Sequence, residues 1–546
     1  MKTDSRITVL FYPTGIIHFQ NLRILKEKLP DYRFLVIIEP WVQKHPPEAL
    51  VPTRKEDRFE TKNGRLPDDV WEESVDLLFL FMAYPNYFRL QLIHEAVKRN
   101  IPVVAIEEVN QLALNSGIIN HYFLPLDFFG VSSEIEKRGF LELGLPEHRV
   151  DVTGWPFYDL SVPGSFSVRG IREEYGIPPG KKTCLLVLGS LKENDMVSLE
   201  TRKVRYQLLE LVSGGLTEDY WLLVKPHPTE SGSSLDEIKK QYPEAVLVAP
   251  GYPIDPLLAQ SDLVVSRGNS QIGLLSMLYK IPLIIVPAGI KTIFHGHLDE
   301  IIARSPFDFR RIAKNYEERR QIDFDRILKI HLPLNREQSL NRIEEFFLRA
   351  LNENALHSEQ VLLRISILFA FLGYTASARN IADGLAHHNS TVLLKKLYEK
   401  IIQPEEFAGL LEYFPAKIDR WHLQALLIRT LLNEKDNARL KKSVRYLEGF
   451  EGEVNPHTFM DDLIGRIELE YRAGREKTAE RLYDKFCGDY SIFRYYRQAF
   501  GMLRFVYQRN SRHAVLRKKL WALSNLHKSF VRKQIKEKFC SSTGRK

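Results

Sequence analysis

Between residues 7 and 330, short apolar runs alternate with stretches whose apolar residues recur at helical spacing. ITVLF at residues 7–11 leads through Pro13 and Gly15 into FQNLRILKEKL, which reads as strand, loop and helix. The order returns in RFLVIIEP, in VDLLFLF before FRLQLIHEAVKRN, in IPVVAIEEV, in FFGVSS before EIEKRGFLELGLP, and in HRVDVTGWP. Apart from HRVDVTGWP, these runs do not alternate apolar with polar residues, so they predict strands covered on both faces, as in a parallel sheet with crossover helices. After Pro163, Gly164 and Ser165 and a helix VRGIREEYGIPPGK, the alternation restarts with KTCLLVLGS, YWLLVKPHP, AVLVAP, SDLVVSRG and IPLIIVP, separated by helical segments.

The pattern predicts an α/β chain with two tandem Rossmann-like, doubly wound domains, residues 1–160 and 161–330. Such sheets bind ligands at the carboxyl ends of their strands, so the paired domains are expected to enclose a cleft. From about residue 335 only helical spacing remains, in SEQVLLRISILFAFLGYTASARNIADGLAHH, RWHLQALLIRTLLNEKDN and FMDDLIGRIELEYRAGREKTAERLYDKF. LGYTASA and AGREKTA resemble each other, which points to an all-α helical-repeat domain of tetratricopeptide type over 335–510. A module of this kind offers a surface to a protein partner.

Composition adds one localised feature. The net charge is +8, but residues 512–546 hold eleven Lys and Arg against Glu537 alone, which leaves a slightly acidic remainder. A uniformly basic nucleic-acid surface is thereby disfavoured, no nucleic-acid motif is present, and a basic tail over 511–546 with its own partner is favoured. Within it, Leu516, Leu520, Leu523, Phe530, Val531, Ile535 and Phe539 recur at helical spacing around Trp521. Such a helix suits an anionic membrane surface, and it equally suits a last helix packed on the repeats. No apolar run approaches the roughly 18 residues that span a bilayer. The opening MKTDSRITVLFYPTG carries Asp4 and enters a strand directly, so no signal peptide is expected and the chain is expected in the cytoplasm, peripheral on the inner face of the membrane. The three cysteines, Cys184, Cys487 and Cys540, are far apart, which excludes a disulfide framework or a cysteine zinc site.

Candidate chemistry sits where apolar runs end. In YWLLVKPHP, Lys225 and His227 are each followed by a proline, Pro226 and Pro228, that stops the strand from running on. A cation and an imidazole at a strand's carboxyl end suit a phosphate or diphosphate leaving group. A solvated turn is the plain alternative. SDLVVSRGNSQIGLLSMLYK then places Arg267, Gly268, Asn269 and Ser270 between a strand and a helix, where backbone N–H groups form an anion site and where Asn269 equally serves as N-cap. Gly189 and Ser190, ending CLLVLGS, face the same cleft. In the first domain, VVAIEEVNQ sets Glu107 and Glu108 at a strand end as candidate bases, at most one of which reaches the cleft because successive strand residues point oppositely. Glu108 as a helix cap and Glu107 as an ion-pair partner is the structural alternative. His18, after the first strand, is the competing base. Asp323 and Asp325 in DFD match a metal-binding D-x-D only superficially, since they lie in a charged helical stretch beyond the second sheet, and His295 and His297 in FHGHLDE have no spaced partner set, so neither metal nor cofactor is expected.

HRVDVTGWPFYD resembles the VTGxPxxD linker between the halves of GT-B glycosyltransferases and of UDP-N-acetylglucosamine 2-epimerases. LVKPHP resembles the His-Pro motif of bacterial sialyltransferases, 3-deoxy-manno-octulosonate transferases and other capsule enzymes. SDLVVSRGNSQIGLLSMLYKIP is similar to the donor-binding stretch of the transferase that adds N-acetylglucosamine to lipid I. The resemblance covers roughly residues 1–330. It implies a GT-B glycosyltransferase of surface-polysaccharide synthesis, with Lys225 and His227 against the donor nucleotide and a glycan or lipid-linked acceptor in the first domain. Leu274 and Leu275 stand where the UDP families keep a ribose-gripping glutamate, which favours a CMP- or CDP-linked nucleotide-sugar donor. Val109 stands where the acidic motif of some sialyltransferases ends in glycine. A CDP-glycerol-type glycerophosphotransferase is the nearest alternative enzyme, and a non-catalytic scaffold built on the helical repeats is the alternative of another class.

Overall fold

A computed structural model describes residues 7–13, 16–39, 54–61, 68–81, 86–107, 125–142, 144–157, 168–188, 196–227, 232–250, 252–267, 270–286, 299–318, 322–353, 359–385, 389–450, 456–475, 477–479 and 481–482. Seven strands form the first sheet: β1 (Ile7–Tyr12), β2 (Tyr32–Ile38), β3 (Arg58–Glu60), β4 (Leu77–Phe81), β5 (Val103–Ile106), β6 (Phe128–Val131) and β7 (Val150–Val152). They lie in the order β3-β2-β1-β4-β5-β6-β7, every pairing parallel. Five form the second: β8 (Lys182–Val187), β9 (Tyr220–Lys225), β10 (Val246–Leu247), β11 (Leu263–Arg267) and β12 (Leu283–Val286), in the order β10-β9-β8-β11-β12, again all parallel. Each sheet starts in its middle, runs to one side and then reverses to the other. Each therefore has a switch point, between β1 and β4 in the first and between β8 and β11 in the second.

The apolar runs are buried on both faces, as their lack of alternation predicts. Along β1, Val9 and Phe11 enter one core while Leu10 and Tyr12 enter the other. Helix α1 (Ile16–Lys28) covers the Val9 face, and α2 (Tyr87–Lys98) and α3 (Glu134–Glu142) cover the opposite one. The second unit carries α4 (Val168–Glu174), α5 (Met196–Gly215), α6 (Gly232–Gln241), α7 (Ile254–Ala259), α8 (Gln271–Leu278), α9 (Pro306–Glu317) and α10 (Phe324–His331). Cys184, in β8, is fully buried, and burial raises its thiol pKa.

Three aspartates close the amino-terminal edges of the sheets. Asp76, just before β4, accepts from Thr8 N at 2.8 Å. Asp127, before β6, accepts from Val103 N at 2.9 Å, and Asp262, before β11, accepts from Thr183 N at 2.7 Å. Each satisfies a backbone N–H at the start of a neighbouring strand, the first residue of β5 and the second of β1 and β8. The D-L and D-F pairs that open these runs in the sequence therefore seal one edge.

The all-α region comprises α11 (Arg336–Asn352), α12 (Glu359–Phe371), α13 (Thr375–Asp383), α14 (Asn389–Tyr398), α15 (Pro404–Tyr413), α16 (Lys417–Leu431), α17 (Asn437–Val444) and α18 (Pro456–Arg472). α11 packs back on the first sheet: Leu340, Ile343, Phe346 and Phe347 share the core of Val9 and Phe11. Arg349 of α11 reaches Asp151 in β7 at 2.5 Å and lies 4.9 Å from the Phe128 ring. The glycine of VTGWP acquires its reason here. Gly154 has φ of +73°, and a β-carbon on it would run into Ser339 of α11. From α12 onward the helices share one hydrophobic core with the α2 face of the first sheet. The tail over 511–546 lies outside the described residues. No helix among those described is long and apolar enough to cross a membrane.

Candidate active site

At the carboxyl edge of the second sheet, β9 ends on Lys225, paired in register with Val187 of β8, and Leu188 N continues the ladder to Lys225 O at 3.0 Å. Lys225 is only 3% exposed. Its Nζ donates to Pro226 O at 2.9 Å and to Pro250 O at 2.6 Å, tying the turn after β9 to the segment after β10. Burial lowers its pKa from the ordinary lysine value, and no carboxylate among the described residues counters that effect. His227 follows, half-buried, beyond the buried Pro226. Pro226 has no backbone donor with which to extend the ladder.

On the far side of β8, β11 ends on Arg267, half-buried and in register with Val286. Ser270 N donates to Arg267 O at 3.1 Å, and Ser270 Oγ accepts from Ile272 N at 3.3 Å. Ser270 is thus the N-cap of α8, the position the sequence allots to Asn269. Lys225 and Ser266 stand level on the two strands that flank β8, an inter-strand span of about 10 Å across the switch point. Leu274 and Leu275, where a ribose-binding glutamate would lie, are core residues, 0% and 9% exposed. Gly189, Ser190, Pro228, Gly268 and Asn269 lie outside the described residues, as do His295 and His297.

In the first unit, His18 sits in α1, 1% exposed, its ring 4.6 Å from Phe81, the last residue of β4. It therefore lies beside the β1/β4 switch point. Glu107, directly after β5, is fully buried. Its Oε2 accepts from both the backbone N–H and the hydroxyl of Ser132, each at 3.0 Å. Ser132 and Ser133 lead into α3, whose Glu136 N donates to Ser133 Oγ at 3.4 Å, so the carboxylate joins the end of β5 to the start of that helix. Glu108 lies outside the described residues. Asp323, of the DFD triplet, caps α10 by accepting from Arg326 N at 3.1 Å. Among the described residues no group of three or more His, Cys, Asp and Glu is placed to hold a metal ion.

A further cluster at the first sheet's carboxyl edge was not singled out from the sequence. The Tyr12 hydroxyl, at the end of β1, donates to the half-buried Glu39 carboxylate just beyond β2. The fully buried Arg89 guanidinium lies 5.6 Å over the Tyr12 ring, and Asn86 caps α2 by accepting from Arg89 N at 2.8 Å. Burial first, and Glu39 second, push the Tyr12 pKa up. A signal for this cluster exists: Tyr12-Pro13, Glu39-Pro40 and Lys225-Pro226 all end an apolar run on a polar residue followed by proline.

No protein-family model matches the chain. A 94-residue stretch is 28% identical to 3-deoxy-D-manno-octulosonic acid transferase of Chlamydia pneumoniae, covering 17% of this chain. The chain spans about a fifth of the length of that curated relative, 21%. Among solved structures, a glycosyltransferase from Rickettsia africae is similar at 12% identity and a TM-score of 0.45, over 64% of this chain and 99% of that one. The wall teichoic acid polymerase TagF is similar at 14% identity and 0.44, over 65% and 92%. Anabaena HepE, solved with UDP and glucose, is similar at 11% and 0.45, over 63% and 100%.

Proposed function

We propose that the chain is a glycosyltransferase that moves a sugar from a nucleotide-activated donor, CMP- or CDP-linked in preference to UDP-linked, to a glycan or lipid-linked acceptor. The observation that carries the reading is the gathering of Lys225, His227, Arg267 and Ser270 at one sheet edge, at the ends of β9 and β11, the two strands that flank β8. Similarity of one stretch to a Kdo transferase supports it.

In this scheme His227 and Arg267, with the N-terminus of α8, take the donor phosphates and stabilise the charge that develops on the leaving nucleotide. Lys225 holds the turn that carries His227. The acceptor hydroxyl oxygen attacks the anomeric carbon, the bond from that carbon to the phosphate oxygen breaks, and its electron pair leaves on the nucleotide. A base takes the hydroxyl proton. Glu107 spends its Oε2 on Ser132, so we assign it to positioning; Glu108 is the favoured base, with His18 second. The basic tail would bring the enzyme to an anionic membrane surface where a lipid-linked acceptor resides.

The test is a thermal-shift panel of CMP, CDP, UDP, GDP and ADP. A ligand bound only by the folded state raises the melting temperature with its saturation. CMP or CDP is expected to stabilise the wild type and to lose that effect in His227→Ala. No shift with any nucleotide would shift the reading to the scaffold.

A further inference from the structure

Where α2 begins, at the carboxyl edge of the first sheet, the all-α region brings in a second aromatic ring. Tyr87 is the first residue of α2 and is half-buried. Tyr374, in the turn between α12 and α13, packs against it with ring centroids 4.5 Å apart and planes at 47°. Phe369 backs both rings, at 5.6 Å from Tyr87 and 6.5 Å from Tyr374. Gln91, one turn further along α2, donates from Nε2 to the Tyr87 hydroxyl at 2.9 Å.

Local folding accounts for part of this. Tyr374 N donates to Phe369 O at 2.8 Å and Gly373 N to Ala370 O at 2.9 Å, with Gly373 at φ +92°, which is a Schellman ending for α12. That ending asks for an apolar contact between Tyr374 and Phe369. It does not ask for a tyrosine left 44% exposed, whose hydroxyl makes no hydrogen bond among the described residues.

We propose that Tyr87, Tyr374 and Gln91 form a binding platform for a pyranose unit of the glycan acceptor. A pyranose ring presents an apolar C–H face and a rim of equatorial hydroxyls. Tilted aromatic rings match the first, while phenol hydroxyls and a carboxamide match the second. Neither unit makes the platform alone, because Tyr87 comes from the first sheet's helix and Tyr374 from the all-α region. The hydrophobic core that the two units share includes Phe369 and packs against Tyr87, so the contact is assembled before any ligand arrives. The inference rests on the glycosyltransferase reading for the acceptor's identity, and it gives the helical region a part in choosing that acceptor.

The test uses the full chain on an array of oligosaccharides released from bacterial capsules and lipopolysaccharides, with proline-rich peptides printed alongside. Wild-type protein is expected to retain a subset of the oligosaccharides. Tyr374→Ala should weaken that retention roughly tenfold, the size of one aromatic contact, and Tyr374→Trp should keep it. Nucleotide thermal shifts run on the same preparations should be unchanged by Tyr374→Ala. Equal retention by wild type and Tyr374→Ala, no retained oligosaccharide, or retention of the peptides instead would overturn the platform. Retention that depends on Tyr374 in a protein that no nucleotide stabilises would overturn the transferase reading and leave the platform standing.

Discussion

Glu107 in the first sheet and Lys225 in the second occupy matching places, each at the carboxyl end of an inner strand, and both are lost from solvent. Both invite assignment as reacting groups. Yet each spends its charge on the protein itself, Glu107 on the Ser132 N–H and hydroxyl, Lys225 on two carbonyl oxygens. They differ in what they hold. Glu107 joins a strand to the helix after the next strand, whereas Lys225 joins two turns, one of which carries His227. The comparison separates the ionisable residue that shapes an edge from its neighbour: Lys225 is buried, whereas His227, two residues on, is half-buried.

The largest effect expected from this comparison is on Glu107. Glu107→Ala leaves two donors of Ser132 in a dry site, where unsatisfied groups cost about 1–3 kcal/mol each, so a loss of about 3 kcal/mol is expected in urea unfolding. Glu107→Gln keeps an acceptor of the same shape and should lose about 1 kcal/mol or less. Equal losses in the two variants would mean that the Ser132 bonds are not what Glu107 is for.

A third buried ionisable group, in the all-α region, gives a smaller and pH-dependent effect. His422 in α16 is 2% exposed, with its ring 4.8 Å from Phe371. Burial first, then the Arg364 and Arg429 charges, push its pKa down to about 3. Its folded pKa therefore lies below the ordinary value of about 6.5. As pH falls through 6.5 the unfolded chain takes up a proton that the folded chain refuses, so stability falls with pH at about 1.4 kcal/mol per unit. Between pH 7 and pH 5 the wild type should lose about 2 kcal/mol more than His422→Gln. Matching declines in the two proteins would show that His422 titrates normally in the fold.

How much of this was open to reading from the chain depends on how local each feature is. Apolar runs without alternation, such as LLFLF in β4, announce strands buried on both faces, and two sets of them announce two parallel sheets. Tyr12, Glu39 and Lys225, each followed by proline in the sequence, mark the carboxyl ends of β1, β2 and β9. Partners far along the chain are not legible in this way. Periodicity shows that Leu340, Ile343 and Phe347 share a helix face, but not that the face returns to Val9 and Phe11. Strand parity says that only one of Glu107 and Glu108 faces the cleft. It takes Ser132, just after the next strand, to show that Glu107 turns inward. The Tyr12–Glu39–Arg89 cluster escaped for the same reason, since three elements contribute one residue each.

Lys225 gives the smallest effect and the finest discrimination. Lys225→Met removes two hydrogen bonds and also the cost of burying an ammonium without a carboxylate, so the terms oppose and the net change at pH 7 is expected within about 1 kcal/mol. The pH dependence is the sharper readout. Burial lowers the folded pKa below that of the unfolded chain, so wild-type stability rises relative to Lys225→Met as pH climbs from the lowered value toward about 10.4, where the unfolded lysine also gives up its proton. Comparing urea midpoints of the two proteins at pH 7 and pH 9.5 measures this directly. A midpoint difference that stays constant would place the ammonium in water and remove the clamp. If the difference grows, the nucleotide panel completes the argument: a residue that only holds the turn should weaken binding less than His227→Ala does, whereas equal weakening would place Lys225 itself on the phosphates.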